Sequence, residues 1–361
     1  MTMPRSKYVR EGQEGAYHCF SRCVRRAFLY GLDPVTRQDF SHRKAWIVDR
    51  LKHLASIFAI EVCAYAILWN HYHTILRTRP DIVAGWSDQE VAIRWLKLFP
   101  KRPKSGDVAI QLEEEIRALV NRPERIAQLR KRLCSVSWFM GRLNEFIARA
   151  ANNEDKVKGR FWESRFKCKA LLDDAAIAAG MVYVDLNPIR AGLAATPEES
   201  DFTSIQERIR AWQAETMSRT SVPGKGLKAV SSNPIPEDTP APQNLTDAVT
   251  SSTSWLCPIS SDSQRRGILP MSAAEYFDLV DKSGRVIRSD KRGSIDTDLA
   301  PILLRIGANL EAWSDTISHF ESRFCLAAGL LSNLRSFAQQ IGSRWLKGVS
   351  MARMAFSSST P

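Results

Sequence analysis

The sequence has few of the features that would take it out of an aqueous, reducing setting. Its uninterrupted apolar runs are short, Ala64 to Trp69 being an example, whereas a membrane-spanning helix needs roughly 18–20 such residues. The start, Met-Thr-Met-Pro-Arg-Ser-Lys-Tyr, is basic but has no apolar stretch behind it, so a secretory signal is not expected and a cytoplasmic location without a membrane partner is. The seven cysteines are odd in number and form no Cys-x-x-Cys pair. Cys19 and Cys23 stand four apart with no second pair at zinc-finger spacing, so reduced thiols are expected rather than a disulfide framework or a structural zinc. Histidine is scarce: His18, His42, His53, His71, His73 and His319 are all there are.

What is present is a globular composition. The 361 residues are 44% hydrophobic, 9% aromatic and 25% charged, enough apolar material for a core and enough length for two domains. The net charge of +12 is unevenly spread, because residues 1–200 hold 33 Lys and Arg against 23 Asp and Glu, a surplus of ten. A polyanion partner and a merely solvated basic surface both fit that surplus.

Between Pro223 and Pro270 lie seven of the 17 prolines, mixed with Ser, Thr, Asn and Asp. Such a composition buries too little apolar surface to offset its ordering entropy. Residues 216–270 are therefore expected to be a flexible linker between an N-terminal domain, 1–215, and a C-terminal one, 271–361. The latter carries helical stripes at Ile302, Leu303, Ile306 and Leu310, and at Phe324, Ala327, Ala328 and Leu331. A small, mainly helical domain of unassigned role is expected there.

The N-terminal domain alternates strand and helix patterns. Residues 16–24 read as a strand and 43–58 as a helix with Ile47, Leu51, Leu54, Ala55 and Phe58 on one face. Ile60–Leu68 is apolar on both alternating faces, as a central strand would be, and 71–77 reads as another strand after Trp69-Asn70. Ser87 with Glu90 is a capping-box pattern for a helix to about Phe99. Helices follow at 108–121 and 124–151, then a strand at 165–171, then a helix capped by Asp173 or Asp174 that must end near Pro188. The order predicts an α+β fold, a sheet with antiparallel pairs and helices on one face.

Three groups could carry chemistry. His71 and His73 flank Tyr72 on a strand, so both imidazoles project from one face with room for a metal ion; two surface or hydrogen-bonded histidines would satisfy the same pattern. On the helix 174–187, Ala176, Gly180, Tyr183 and Asn187 share a face beside the apolar stripe of Ile177, Met181 and Val184. That face either lets a ligand approach or packs closely on a neighbour. Between Lys156 and Lys169, six basic residues interleave with Phe161, Trp162 and Phe166, a pattern for phosphate contacts and base stacking or for core aromatics with solvated charges.

Taken together, Asn70-His71-Tyr72-His73, the stretch Gly159-Arg-Phe-Trp-Glu-Ser-Arg-Phe-Lys167 and Tyr183-Val-Asp-Leu-Asn-Pro-Ile-Arg-Ala-Gly192 resemble the single-tyrosine HUH transposases, and within them the REP-associated tyrosine transposases (transposase IS200-like domain). The resemblance runs over roughly residues 15–195, with a helical insertion at about 82–152. It implies a ferredoxin-like β-α-β-β-α-β domain. It also implies a metal-dependent enzyme that cleaves and rejoins single-stranded, hairpin-containing DNA through a 5′-phosphotyrosine. Tyr183 would be the nucleophile. His71, His73 and Asn187 would hold a divalent ion, Mg²⁺ or Mn²⁺. Arg160, Trp162, Arg165, Lys167, Lys169 and Arg190 would contact DNA, with the oligomeric state, monomer or homodimer, left open.

Two other classes share parts of the pattern. A sequence-specific DNA-binding regulator with an inactive HUH site would keep the basic surface without the chemistry. A metal hydrolase of the amidohydrolase type also uses His-x-His on a strand. It needs further His and Asp ligands, and His18, His42, His53 and His319 show no ligand-like grouping in the sequence.

Overall fold

In the computed structural model the described residues are 5–24, 31–32, 37–100, 108–220, 255–287, 320–343 and 346–355. They form an α+β structure around a five-stranded mixed sheet in the order β2-β3-β1-β4-β5. Strand β1 (Gly15–Arg22) pairs antiparallel with both β3 (His71–Thr78) and β4 (Lys167–Leu171). Strand β2 (Ile60–Leu68) forms a hairpin with β3, and β5 (Ala327–Ala328) runs parallel to β4. All of β2 except Glu61 is buried, the environment its unbroken apolar run requires.

Side chains alternate across a sheet, and the two faces of β3 meet different layers. Tyr72 and Thr74 face α6 (Val136–Glu154): the Tyr72 hydroxyl donates to Asn144 Oδ1 at 2.6 Å, and Thr74 Oγ1 lies 3.9 Å from Met140 Sδ. Beside α6 runs α1 (Arg43–Ile57), whose buried Arg43 pairs with Glu154 and Asp155 at the end of α6. The insertion, α2 (Pro80–Gly85), α3 (Asp88–Leu98), α4 (Val108–Val120) and α5 (Pro123–Leu133), extends this layer. Ser87 caps α3 as its pattern predicts, accepting from Glu90 N at 3.1 Å.

The opposite face is covered by α7 (Asp174–Asp185), capped by Asp173, which accepts from Ala176 N. The expectation of helices on one face is thus corrected. Ile75 of β3 and Leu171 of β4 would otherwise leave apolar surface in water. A Cβ on Gly180 would stand 3.1 Å from Leu171 Cδ1 and 3.5 Å from Ile75 Cδ1. The small residues of α7 therefore serve close packing on the sheet.

Three further expectations change. The single helix 124–151 is two helices, because the Leu133 carbonyl accepts from Ala59 N at 2.9 Å instead of from the next turn. Residues 255–270, assigned by composition to the linker, line the edge of β2: Cys257 N donates to Val62 O at 2.8 Å, and Arg77 donates to the carbonyls of Arg266 and Gly267. An open strand edge offers unpaired polar backbone, and Leu256, Cys257, Ile259, Ile268 and Leu269 bury themselves there. Ala327 and Ala328 are strand rather than helix, for the same reason: Ala170 N donates to Leu326 O and Leu172 N to Ala328 O. The stripe Ile302, Leu303, Ile306 and Leu310 and His319 lie outside the described residues, as does most of the linker. Among the described residues no helix is long and apolar enough to cross a membrane.

The far end of α7 is tied by Asp185. Its two carboxylate oxygens accept from Ser204 Oγ, at the start of the helix Ser204–Thr220, and from the Tyr276 hydroxyl, each at 2.6 Å. Burial raises its pKa to about 6. Asp185→Ala strands the buried Tyr276 hydroxyl and leaves Ser204 Oγ only the Tyr65 carbonyl at 3.3 Å, and is expected to lower stability by about 1–3 kcal/mol, read from the urea midpoint at unchanged slope. An unchanged midpoint would show that the network carries no stability.

Candidate active site

In β1 and β3 the residues His18, Phe20, Arg22, His71, His73 and Ile75 share the face that α7 covers, since Arg22 pairs with His71, Phe20 with His73 and His18 with Ile75. This register brings His18 diagonally against His73. The rings stack at 5.1 Å between centroids and 20° between planes, and His18 Nε2 lies 2.9 Å from His73 Nδ1. His71 stands edge-on to His73 at 5.0 Å. Its Nδ1 is 2.7 Å from Asn70 Oδ1, an acceptor, so the ring hydrogen sits on Nδ1 and the lone pair on Nε2.

From α7, Tyr183 reaches the same place. Its ring is 5.6 Å from His73 and 5.7 Å from His18, nearly perpendicular to the former. Asn187 opens the next short helix, Asn187–Arg190, one turn on. The Arg190 guanidinium lies 5.0 Å from the centre of the Tyr183 ring. The structure thus gathers Tyr183, His71, His73, Asn187 and Arg190 in one region.

Two contributors were not foreseen. His18, set aside in the sequence for want of a grouping, belongs to the cluster. Glu321, on the short helix Phe320–Arg323, also enters, with Oε1 3.8 Å from His73 Nδ1. Phe320 lies against Tyr183 at 5.4 Å between ring centres. Lys169 Nζ donates to Glu321 O at 2.9 Å. The cluster therefore takes in residues on both sides of the stretch that carries the resemblance's metal ligands and tyrosine. His18 could have been found from its place on a strand next to β3, but only once the strand pairing was known. Nothing in the sequence near Glu321 marks it.

Among the described residues, His18, His73 and Glu321 offer ligand atoms that all lie within 4.8 Å of one another, a group able to hold a metal ion. Burial of this polar set is incompletely compensated: His18 Nδ1, His73 Nε2, Asn187 Nδ2 and Glu321 Oε1 have no hydrogen-bond partner. Such orphans are rare in folded proteins and call for an explanation. The two imidazole nitrogens and the carboxylate oxygen suit a divalent ion, whereas Asn187 Nδ2 is an N–H donor and calls for an acceptor.

Burial dominates the electrostatics. It holds His18 and His73 well below the ordinary histidine value, and His71 at about 4, so all three rings are neutral donors at neutral pH. It lowers Lys169 to about 8 and Arg190 to about 10. Tyr183, 8% exposed, is raised to about 12 by burial and then by the Glu321 carboxylate, with Asn187 and Arg190 pulling the other way.

The DNA-contact set divides. Arg160, Arg165 and Lys167 are exposed. Trp162 is half-buried, donates from Nε1 to Asn144 O at 2.9 Å and meets Tyr72 edge-on, while Phe161 and Phe166 are core. Two of its three rings are therefore core, with Trp162 tied to α6 and Phe166 lying 3.8 Å under the Arg5 guanidinium. Lys169 is buried under Phe320 and Glu321 instead of facing solvent.

No family model matches the chain, and no curated protein matches it. Among solved structures, a chain described as "Structure of the REP associates tyrosine transposase bound to a REP hairpin" aligns over 64% of this chain and 100% of its own, at 14% identity and a TM-score of 0.30. A likeness of that size carries no argument here, so the functional reading rests on the residues.

In the metal-free protein, ultraviolet titration of wild type minus Tyr183→Phe is expected to place the Tyr183 ionisation near the alkaline value above, about 12, rather than near 10. Because the folded value is the higher one, the stabilisation is full below pH 10 or so and is lost as pH rises toward 12. Ionisation near 10 would show an open, solvated phenol.

Proposed function

We propose that the protein is a metal-dependent DNA strand transferase of the single-tyrosine HUH kind, with Tyr183 as nucleophile. The observation that carries the reading is the meeting of Tyr183, from α7, with His71 and His73, from β3, among buried polar atoms left without partners. The strand order β2-β3-β1-β4 is that of a ferredoxin-like sheet, which supports the same reading, and the basic surplus of residues 1–200 suits a phosphate-bearing partner.

In this reading His71 and His73, with Asn187 through its amide oxygen, would hold a divalent ion, Mg²⁺ or Mn²⁺. When bound, that ion supplies Lewis-acid polarisation of the scissile phosphate and stabilises its developing charge. The Tyr183 oxygen attacks phosphorus and loses its proton. The bond from phosphorus to the 3′-oxygen breaks, and that oxygen takes up a proton. A 5′-phosphotyrosine and a free 3′-hydroxyl remain. The ester linkage is conserved, so reversal joins strands without a nucleotide cofactor. Arg190 lies beside the phenol, where it favours the anionic form. Arg160, Arg165 and Lys167, all exposed, would hold flanking phosphates, with single-stranded DNA bearing a hairpin as the substrate class of this reading. Phe320 and Glu321 must move aside for a phosphodiester to reach so buried a phenol.

The test is incubation with labelled hairpin-bearing single strands and Mn²⁺, followed by denaturing electrophoresis. A covalent adduct is expected. Tyr183→Phe is expected to abolish it with DNA affinity kept within a few-fold, because only one oxygen is lost. His71→Ala and His73→Ala should each remove the metal-dependent step. Specific hairpin binding with no adduct from any strand or metal would instead favour a regulator with an inactive site.

A further inference from the structure

His18 belongs to no part of the motif that points to Tyr183, His71 and His73, yet its Nε2 lies within hydrogen-bond distance of His73 Nδ1, at 2.9 Å. We infer that His18 is a positioning residue: its Nε2 accepts the Nδ1 hydrogen of His73 and thereby fixes the tautomer in which His73 presents a bare Nε2 to a metal ion. The inference rests on the proposed metal-dependent reading and adds to it a group outside the ligand set.

Two imidazole nitrogens 2.9 Å apart share a single hydrogen, so one ring donates and the other accepts. If His18 donated, the His73 hydrogen would sit on Nε2, and that nitrogen would have no lone pair for a cation. If His73 donates, Nε2 is free of hydrogen. His73 Nε2 and His18 Nδ1 are both buried with no hydrogen-bond partner, so either arrangement leaves one bare nitrogen and one unpaired N–H, and the surroundings of His73 Nδ1 decide between them. A ligating histidine characteristically gives its other ring N–H to an acceptor that fixes its orientation. Glu321 Oε1, 3.8 Å from the same Nδ1, favours the donating arrangement, since a carboxylate stabilises a nearby N–H dipole. The neighbouring ligand is held alike, His71 Nδ1 facing Asn70 Oδ1 at 2.7 Å. Both histidines of the strand would then offer Nε2, each locked through Nδ1 by a different partner. The stacked geometry, 20° between the His18 and His73 rings, is set by β1 lying beside β3 and leaves His18 little freedom to turn away.

The rival arrangement makes His18 itself a ligand, together with His73 Nδ1 and Glu321. The two are separable. In wild-type protein with ¹⁵N-labelled histidine, long-range proton–nitrogen correlation spectra without metal are expected to show His73 as the Nδ1–H tautomer. Titration with Zn²⁺ as a diamagnetic probe should shift His73 Nε2 and leave both His18 nitrogens with non-ligand shifts. By calorimetry, His18→Ala should weaken Mn²⁺ binding by about ten- to a hundred-fold, the usual cost of losing such a partner. His18→Gln, whose Oε1 can reach the place of Nε2 and accept the same hydrogen, should restore most of it. A His73 Nε2–H tautomer, a metal shift at His18, or unchanged Mn²⁺ affinity in a folded His18→Ala would each overturn the inference. The spectra of the wild type decide it even if the alanine variant does not fold. Failure of the underlying reading looks different: His71→Ala and His73→Ala would then both leave metal affinity unchanged.

Discussion

The ladder between β1 and β3 is the constraint on which the rest of the site depends. Its register sets Phe20 opposite His73 and Arg22 opposite His71, and so puts His18 one diagonal step from His73. A slip of one residue would turn every side chain to the other face, sending the histidines toward α6 and Tyr72 toward α7. Both layers oppose the slip. Tyr72 is fully buried with its hydroxyl on Asn144, and Ile75 packs where α7 has only Gly180. The position of β1 between β3 and β4 also brings Lys169 to the same face as His18.

Helix α7, which carries Tyr183, is tied down at both ends by carboxylates that do two jobs each. Asp173 caps α7 through Oδ1, and its Oδ2 accepts from Leu330 N and from Asn333 Nδ2. Asp185 accepts from Ser204 and Tyr276. The partners come from the segments after residue 200. These later segments are therefore part of the frame that aims Tyr183. Through Phe320 and Glu321 they also form part of the wall around it.

Much of this was legible in the chain. The strand at Ile60–Leu68 matches its apolar run residue for residue, the Ser87 cap and the Asp173 cap are local hydrogen bonds written in a few adjacent residues, and His71 with His73 on one strand face follows from alternation alone. Illegible were the features that depend on who pairs with whom. The open edges of β2 and β4 recruit residues 255–270 and 326–328 by backbone hydrogen bonding, for which side-chain composition is a poor guide. The aromatic residues 161, 162 and 166 read equally well as stacking surface or as core, and only the neighbouring α6 and β1 decide.

By itself, then, the sequence determined the local elements, their periods and caps, the pairing of His71 with His73 on one face and of Tyr183 with Asn187 on consecutive turns, because each is an interaction within a few residues. The tertiary structure alone decided that α7 faces those histidines, that His18 stacks on His73, and that Glu321 arrives from a distant segment. Those contacts join residues 55, 110 and 248 positions apart, and their existence depends on strand register and sheet order. No local pattern encodes either.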